Sequence, residues 1–451
     1  MLEPAYQADV VVVGAGIAGL AAAQRLTSAG MTTAVLEAAH DVGGRMATEK
    51  VDGFRLDRVG RLMSTSYPEL RLTPGLDALT LSAFDPGVLL HSDGRRHRVG
   101  AAASQGGARG ALHTVRALAS APRPPSAPRA PLGTAVDQAR LVAALARLAG
   151  TPADRLLARP ESPSPSPDGR APAARGLSAR TVDGFVRPLL AALMCDPEPA
   201  VSGRGADLAL HFFATGRLCV PEGGAEVLPH LLARSLPAGT VHTGVRVTSV
   251  STTSVTTAEH GVFRCRAVLL ATGARTAAEL LPGLRVPDAH PVTVVHHTTD
   301  EAPATGGALL LDADRGGPVA HTAVLSAVDP TRAPAGRALV SSTVLGPPPA
   351  DLDTAVRTHL ARLYGTSTAR WETLAVHHTP EAVPSVRPPY DPHRPVRLLA
   401  GLYICGEHRD TGTVQGALHS ARRATDALVA DLGATGSLHR ADPVPTVPRA
   451  A

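Results

Sequence analysis

The feature that most constrains this chain is a glycine-rich turn, Gly14-x-Gly16-x-x-Gly19, between a run of apolar residues and a predicted helix. Asp9 is followed by the apolar run of residues 10–13, which is typical of a strand covered on both faces. Gly14 permits a tight turn, Gly16 lets a pyrophosphate approach the backbone, and Gly19 lets the helix pack closely on the strand. Glu37 ends the next predicted strand, where its carboxylate can accept hydrogen bonds from ribose hydroxyls. The segment therefore predicts a strand–turn–helix unit that binds a dinucleotide at the helix N-terminus.

Two further motifs predict sites that bind phosphate or another negatively charged group. Residues 42–45 read Val-Gly-Gly-Arg, and the guanidinium of Arg45 can pair with phosphate oxygens through two parallel hydrogen bonds. Near the end of the chain, Gly406 and Glu407 precede a predicted helix that opens at residues 413–417. The N-terminus of that helix predicts a site that favours negative charge.

These motifs, in this order, resemble those of the flavoprotein superfamily of flavin-containing amine oxidases, phytoene desaturases and protoporphyrinogen oxidases. Residues 406–411, Gly-Glu-His-Arg-Asp-Thr, look most similar to a bacterial NAD(P)/FAD-dependent oxidoreductase branch. Residues 245–247 and 267–274 match two further segments of the family near the nucleotide. The resemblance covers the chain and implies FAD as the cofactor. It implies non-covalent binding, because the loop before Gly401 has no cysteine where some amine oxidases tether FAD.

The resemblance also assigns the cofactor contacts to residues of this sequence. It implies that the first turn and the Gly-Gly-Arg loop lie along the diphosphate, and that Glu37 binds the ribose. It further implies that the backbone of Val247 contacts adenine, that Glu407 binds the ribityl chain, and that the last helix faces the N1/C2=O edge of the flavin. The implied FAD-binding residues are Gly14, Ala15, Gly16, Ile17, Ala18, Gly19, Glu37, Ala38, Gly43, Gly44, Arg45, Val247, Gly406, Glu407, Thr413, Val414 and Gln415.

The implied fold is α/β, with a Rossmann-like FAD-binding domain of the GR2 flavoprotein type and an α+β substrate domain built on an antiparallel sheet. We expect a discontinuous FAD-binding domain from residues 1–75, 217–288 and 395–440, and a substrate domain from residues 76–216 and 289–394. The Pro/Ser-rich composition of residues 159–176 predicts a mobile surface loop. We expect a flexible tail at residues 441–451.

Composition disfavours several classes of partner and site. Arginine supplies 43 of the 44 Lys and Arg residues, which we interpret as the bias of a high-GC coding sequence. The net charge is +5, but the arginines are dispersed and aromatic residues make up only 3%. The charge therefore does not indicate a nucleic-acid partner, and we expect none. The four cysteines lie far apart, which predicts neither a metal site nor disulfides and favours a cytoplasmic protein. The sequence predicts no transmembrane segment and no signal peptide.

The sequence departs from the family near the flavin ring in two ways. Many amine oxidases place a lysine near flavin N5 through a water molecule, and this sequence has no lysine after Lys50. This departure disfavours a standard amine oxidase without excluding flavin-dependent hydride chemistry. The family also has an Asp-x-Gly segment near the ring, whereas Gly60 stands one position late after Asp57.

The catalytic residues are not identified by the sequence, and His297, His378 and His408 are the candidates. The first two belong to His-His pairs in predicted strands, where neighbouring side chains face opposite sides, so one member of each pair can face a pocket. A general base is the functional interpretation, but a core or surface role is favoured because nothing places a proton-transfer partner nearby. Phe212 and Phe213 are compatible with a pocket wall or a peripheral membrane patch, and an ordinary core role is favoured.

The predicted reaction is the transfer of a hydride from a C–H bond of a small, largely apolar molecule to flavin N5, giving a desaturated or otherwise oxidised product. A tailoring step in secondary metabolism fits a high-GC bacterial origin. The alternatives are an amine or amide oxidase without the usual lysine and a redox-neutral cyclase or isomerase. A non-enzymatic binder on the same fold and an aromatic hydroxylase are the rivals from other classes. The sequence specifies neither the substrate, the electron acceptor nor the oligomeric state.

Overall fold

The computed structural model describes residues 6–100, 132–160, 176–197 and 202–433. The predicted tail at 441–451 and most of the predicted Pro/Ser-rich loop at 159–176 lie outside these residues. Within the described residues, no helix has both the length and the apolar composition needed to cross a membrane.

The strands are short, apart from a few long ones in the second half of the chain. They are β1 (Tyr6–Val13), β2 (Thr33–Glu37), β3 (Thr48–Val51), β4 (Phe54–Asp57), β5 (Met63–Ser64), β6 (Leu81–Ala83), β7 (Val88–Ser92), β8 (Arg95–Val99), β9 (Leu218–Pro221), β10 (Val241–Thr243), β11 (Val247–Val250), β12 (Ser254–Thr257), β13 (Val262–Leu270), β14 (Ala289–Thr299), β15 (Leu310–Asp312), β16 (Val319–Val324), β17 (Ala338–Leu345), β18 (Glu372–Pro384), β19 (Arg397–Leu399) and β20 (Leu402–Ile404).

The helices cover the sheets and connect them. They are α1 (Ile17–Ser28), α2 (Glu69–Leu72), α3 (Ala135–Ala149), α4 (Ala153–Leu157), α5 (Ala179–Thr181), α6 (Arg187–Met194), α7 (Gly203–Thr215), α8 (Val227–Arg234), α9 (Ala274–Leu280), α10 (Leu325–Val328), α11 (Leu352–Tyr364) and α12 (Val414–Leu432). A π-helical turn at Val182–Val186 and 3₁₀ turns at Pro330–Arg332 and Glu407–Arg409 complete the regular structure of the described residues.

The first sheet has the strand order β10-β2-β1-β13-β12-β11, with β20 beside β13 and β19 beside β20. Strands β10, β2, β1, β13 and β20 are parallel. Val10 and Val12 of β1 pack on one face in a cluster with α1 and α12. Val11 packs on the other face with Ala277 of α9. The apolar run predicted to be covered on both faces is therefore a central strand of a sandwiched parallel sheet.

The second sheet has the order β18-β14-β17-β16-β15-β7-β8 and is antiparallel, except that β15 and β7 run parallel. Leu360 of α11 packs on one face with Val295 and Val340. The predicted α/β class, with a Rossmann-like sheet beside an antiparallel one, is confirmed. The domain boundaries remain a prediction.

A fully buried arginine ties β4 to the turn that precedes β17. Nε of Arg332 lies 2.8 Å from Oδ2 of Asp329, and its Nη1 lies 2.9 Å from Oδ2 of Asp57 at the end of β4. Its Nη2 donates to the Pro221 carbonyl oxygen of β9 at 3.1 Å. One guanidinium thus holds segments from three parts of the chain, and its two carboxylate partners are themselves buried.

Replacing this guanidinium should destabilise the fold strongly, because Arg332→Met leaves two buried carboxylates without their cation. We expect the free energy of unfolding to fall by about 3–5 kcal/mol, measured by urea denaturation followed by circular dichroism. The control is Arg370→Met, which removes an ion pair whose side chains are 83% and 85% exposed. That variant should change stability by less than about 1 kcal/mol. Equal effects of the two substitutions would contradict a structural role for Arg332.

Candidate cofactor-binding and active site

Four parallel strands of the first sheet end side by side, and the site is built on the residues at and just beyond their ends. Leu36 is aligned with Val13, Val13 with Leu270, and Leu270 with Ile404. The next residues along the chain are Glu37, Gly14, Ala271 and Cys405. Chain segments that are far apart in sequence therefore meet at the carboxyl edge of the sheet, where ligands bind in open α/β folds.

The glycine-rich turn has the geometry that its sequence predicts. Gly14 adopts a left-handed φ of +105°, and a Cβ there would lie 3.0 Å from the Ala271 carbonyl oxygen. A Cβ at Gly19 would lie 2.0 Å from the Gly14 carbonyl oxygen, so only glycine permits this approach of helix to strand. Gly16 is the N-cap of α1 and provides no side-chain hydrogen bond to the helix. The first N–H groups of α1 have no intrahelical partner and form a site suited to phosphate.

Glu37 fixes the turn through its side chain. Its Oε2 accepts a hydrogen bond from the Ala15 N–H at 2.7 Å, and its Oε1 accepts one from the Ala39 N–H at 2.9 Å. Each carboxylate oxygen has a second lone pair. The carboxylate can therefore hold the first turn in place and still accept hydrogen bonds from ribose hydroxyls.

The Gly-Gly-Arg loop lies against the first turn and brings in a charged cluster. The Gly43 N–H donates to the Ala15 carbonyl oxygen at 2.9 Å. Arg45 pairs through Nη1 with Oε1 of Glu407, and the same nitrogen donates to the Ala382 carbonyl oxygen at 3.0 Å. Nη2 of Arg61 lies 3.6 Å from Oε2 of Glu407. Two guanidinium groups therefore share one carboxylate, and the excess positive charge suits a diphosphate.

Arg61 is a site residue that the sequence did not reveal. Its guanidinium donates to the Gly412 carbonyl oxygen just before α12, and its buried Nη1 has no hydrogen-bond partner among the described residues. Burial penalises the charged form of Arg61, but Glu407 together with Cys195 and Tyr67 outweighs this penalty, so the pKa of Arg61 lies above its ordinary value. The residue follows Gly60 in the segment that departs from the family. Among 43 arginines, nothing in the sequence distinguishes it.

The structure brings most of the predicted FAD-binding residues into the wall of one cavity of about 320 Å³, a size within the range of ligand pockets. Those that line it are Gly14, Gly16, Ile17, Ala18, Glu37, Ala38, Gly43, Gly44, Arg45, Val247, Gly406, Glu407 and Val414. Arg61 and Ala271 also line it.

The remaining predicted cofactor residues lie behind this wall. Ala15 donates its N–H to Glu37, and Gly19 packs beneath Gly14. Thr413 caps α12, because its Oγ1 accepts a hydrogen bond from the Gly416 N–H at 3.1 Å. Gln415 accepts a hydrogen bond from the Glu69 N–H at 2.9 Å. Their assignment as direct FAD contacts remains a prediction.

None of the three candidate histidines lines this cavity. His297 is buried on the face of the second sheet that packs on α11, with its Nε2 3.5 Å from Oδ1 of Asp353 and its ring 6.0 Å from that of Trp371. His378 is exposed and pairs with Thr293 Oγ1 at 2.8 Å. The structure gives neither residue a place beside the cofactor site, and their catalytic role remains an unsupported prediction.

The other members of the two pairs face the opposite side. Nε2 of His296 lies 3.0 Å from the Asp57 carbonyl oxygen, and the rings of His296 and His377 are 5.6 Å apart. His408 lies behind Gly406, and its Nε2 has no hydrogen-bond partner among the described residues. Burial and the nearby Arg409 and Arg45 lower the pKa of His408 to about 3. At neutral pH it is an uncharged and weak base.

A second, smaller cavity of about 40 Å³ adjoins the first near the start of α12. Two pairs of neighbouring residues connect the cavities. Arg61 and Val414 line the larger cavity, and their neighbours Leu62 and Thr413 line the smaller one. The other lining residues are Met63, Ser64, Tyr67, Leu193, Met194, Gly205, Leu208, Ala209, Phe212, Phe213, Leu218, Val386, Tyr390, Thr411 and Gly412. The two phenylalanines are thus buried core residues that also form a pocket wall.

Comparison with known proteins agrees with this geometry. The model of the family described as flavin containing amine oxidoreductase matches residues 17–429. The chain belongs to this family. Family membership makes FAD the cofactor and the protein a FAD-dependent oxidoreductase, and the predicted superfamily is confirmed.

Individual relatives share either a short segment or the fold. Putrescine oxidase from Kocuria rosea is 47% identical over 98 residues, which are 21% of this chain and 20% of the relative. The match thus spans about a fifth of that curated relative. Cyclohexylamine oxidase from Brevibacterium oxydans is similar in structure with a TM-score of 0.68 at 18% identity, covering 94% of this chain and 99% of that one. An oxidoreductase from Methanosarcina mazei gives a TM-score of 0.70 at 15% identity, covering 92% and 99%.

The residues of the large cavity fit FAD. A methyl group added at Gly16 would meet no protein atom within 4 Å, so the bare Cα leaves open space beside the uncapped end of α1. Arg45 supplies a guanidinium for the diphosphate, and Glu37 retains free lone pairs for a ribose. Polar donors, acceptors and open space therefore lie where the cofactor needs them.

Gly16→Ala should impair FAD binding without impairing folding. The added methyl group would occupy space that we assign to FAD, and it would contact no protein atom within 4 Å. We expect FAD affinity to fall by at least roughly tenfold, measured by titrating FAD into flavin-free protein, with an unchanged thermal midpoint. Gly150→Ala is the matched control, since a methyl group there makes only ordinary contacts from 3.5 Å. Unchanged FAD affinity of the Gly16 variant would remove this turn from the cofactor site.

Proposed function

We propose that the protein oxidises or desaturates a small, largely apolar molecule by hydride transfer from a substrate C–H bond to flavin N5. The observation that carries this proposal is the apolar cavity that adjoins the FAD cavity at the start of α12. None of the described residues that line it carries a charged side chain. Its volume of about 40 Å³ limits the apolar group that enters it without movement of the wall.

Aromatic side chains form a large part of the wall of this cavity. The rings of Tyr67 and Phe212 meet edge to face with centroids 4.9 Å apart, an arrangement that stabilises aromatic pairs. The Tyr390 hydroxyl donates to the Asp410 carbonyl oxygen at 2.9 Å, which leaves its ring as an apolar surface. Burial raises the pKa of the Tyr67 and Tyr390 hydroxyls well above their ordinary value, so both remain neutral. These side chains can orient an apolar substrate and exclude water from it.

FAD, when bound, supplies the hydride acceptor. The chain's own residues would hold it through the N-terminus of α1, Arg45, Glu37 and Glu407. Thr413 is the N-cap of α12, and the positive end of the helix dipole there favours negative charge. This arrangement supports the proposed transfer because two-electron reduction adds negative charge to the isoalloxazine ring.

Oxidation of an amine is the second candidate function, and the family supports it. Proteins named putrescine oxidase and cyclohexylamine oxidase are similar to this chain. Aromatic walls such as those of Tyr67 and Phe212 can contact an amine as well as a hydrocarbon. The absence of any lysine after Lys50 argues against the usual flavin-N5 lysine of amine oxidases. Lys50 itself lies at the surface and pairs with Glu226 at 3.0 Å.

We also propose non-covalent FAD and a cytoplasmic location. The four cysteines are free. Cys405 follows β20 but is fully buried, and burial raises the pKa of its thiol to about 12, so the thiol stays protonated and unreactive. Acid precipitation of the purified protein should therefore release the flavin into the supernatant, where its absorbance is measured. Flavin that stays with the pellet would contradict non-covalent binding.

Anaerobic mixing with candidate substrates tests the proposed reaction. Small apolar compounds with and without an amino group, including cyclohexylamine, are mixed with the FAD-loaded protein. We expect one of these classes to bleach the flavin absorbance without NAD(P)H. Ala209→Leu adds bulk to the wall of the small cavity and should raise KM at least roughly tenfold with unchanged flavin content. Ala146→Leu on the exposed face of α3 is the control.

The alternative functions give other outcomes in the same experiment. A requirement for NAD(P)H before bleaching would indicate a hydroxylase. Product formation without lasting bleaching would indicate redox-neutral catalysis, and protein that neither contains nor binds FAD would indicate a binder. Bleaching that Ala209→Leu does not alter would contradict a substrate site in the small cavity.

A further inference from the structure

A compact group of metal-ligand side chains lies in the second sheet, outside the residues that form the FAD cavity. His91 is near the end of β7, and Asp312 is aligned with it at the end of the parallel strand β15. Asp314 follows in the turn after β15. One ligand atom from each of these three residues lies within 4.8 Å of the others. The sequence did not reveal this group, because more than two hundred positions separate His91 from the two aspartates.

His91 is aimed at the carboxylates but is not hydrogen-bonded to them. The residue is 9% exposed. Its Nδ1 lies 3.9 Å from Oδ1 of Asp312 and 3.8 Å from Oδ2 of Asp314, and this buried atom has no hydrogen-bond partner among the described residues. These distances are too long for a hydrogen bond. A buried and unsatisfied imidazole nitrogen beside two carboxylate oxygens therefore requires an explanation.

The two carboxylates are held in place by other groups. Oδ1 of Asp312 accepts a hydrogen bond from the Asp314 N–H at 3.1 Å, and its Oδ2 accepts one from the Gly316 N–H at 2.6 Å. Asp314 accepts hydrogen bonds from the Ser92 hydroxyl at 2.9 Å and from the Asp93 N–H at 2.8 Å. Each oxygen that faces His91 has one of these bonds and therefore keeps a lone pair.

His359 of α11 fixes Asp312 from behind. Its Nδ1 accepts the Val319 N–H at 3.1 Å, so Nε2 carries the proton of the neutral ring. Nε2 lies 3.0 Å from Oδ2 of Asp312 and can donate to it. The bond holds the carboxylate through the oxygen that faces away from His91, and a hydrogen-bonded ligand carboxylate of this kind is the arrangement found behind metal sites.

We propose that His91, Asp312 and Asp314 bind a divalent transition-metal cation such as Zn²⁺ or Mn²⁺. A pair of atoms 3.8–3.9 Å apart can share one ion at about 2.2 Å from each, which is close to the lengths of zinc–nitrogen and zinc–oxygen bonds. One imidazole and two carboxylates suit such cations and neutralise their charge. The side chain of Asp314 is 39% exposed, which leaves a path for the ion and for coordinating water. The bound ion would join β7 to the turn after β15.

The described residues contain a second histidine–aspartate group, which differs from the first because one of its histidines is hydrogen-bonded to its aspartate. His393, Asp410 and His419 also lie close together. Oδ2 of Asp410 is 2.8 Å from Nδ1 of His419 and accepts a hydrogen bond from Arg423 at 3.2 Å. Its partners are thus present, and the nearby guanidinium repels a cation. This group serves as the internal control.

Calorimetric titration of ZnCl₂ and of MnCl₂ into the full-length, FAD-loaded and metal-stripped protein tests the site. We expect one Zn²⁺ per chain, with affinity at least roughly tenfold weaker in His91→Gln and in Asp314→Asn. Since the ion binds the folded state, the thermal midpoint of the wild-type protein should rise with Zn²⁺ and return with EDTA. His419→Gln, in the control group, should leave the stoichiometry and the affinity unchanged.

The outcomes separate the proposal from its alternatives. Asp314→Asn removes a partly exposed charge, so it should fold even if His91→Gln does not, and far-ultraviolet circular dichroism checks both variants. Loss of Zn²⁺ binding in folded Asp314→Asn protein, with normal binding in His419→Gln protein, supports the site. Absence of stoichiometric Zn²⁺ and Mn²⁺ binding to the wild-type protein, or equal binding to wild-type and Asp314→Asn proteins, would overturn it.

Discussion

The common edge at which β2, β1, β13 and β20 end is the constraint on which the cofactor site depends. Parallel strands in register bring the chain out of the sheet at one level, and each strand end carries a residue of different chemistry. Glu37 supplies an acceptor, and Gly14 supplies a turn without a side chain. The segment after β13 closes the space beneath that turn, and Gly406 and Glu407 extend the edge beyond β20. The alignment of the strands therefore decides which residues meet at the candidate cofactor site, and the side chains at those positions decide what it can bind.

In the part of the chain that the structure describes, guanidinium groups carry buried positive charge. Arg332 holds two carboxylates in the core, and Arg61 lies against the start of α12. A buried lysine can lose its proton, whereas a guanidinium remains charged at every accessible pH. The sequence has one lysine, and it lies at the surface. Arginine at these places gives fixed charge and fixed geometry, so a proton that moves during the reaction must travel through other groups.

The sequence predicted the parts of the structure that are encoded locally. The strand–turn–helix at Gly14, the Gly-Gly-Arg loop and the start of α12 are short segments whose conformation follows from their own residues. The sequence did not predict Arg61, since its role arises from contacts with Glu407 and Gly412, which are about 350 positions away. The histidine pairs show the same limit of sequence-based prediction. Side chains alternate along a strand, so neighbouring histidines face opposite sides, but this pattern does not identify the side that faces β4.

The end of β18 links the walls of the two cavities. The last residues of β18 and the segment after it contribute Ala382 to the wall of the cofactor cavity, and Val386 and Tyr390 to the wall of the apolar cavity. The same Ala382 carbonyl accepts a hydrogen bond from Arg45. A shift of this segment along β14 would therefore move both walls together. A substitution among residues 382–390 that reshapes the apolar wall would therefore also disturb the wall of the larger cavity, whereas a change in α7 would alter the apolar wall alone.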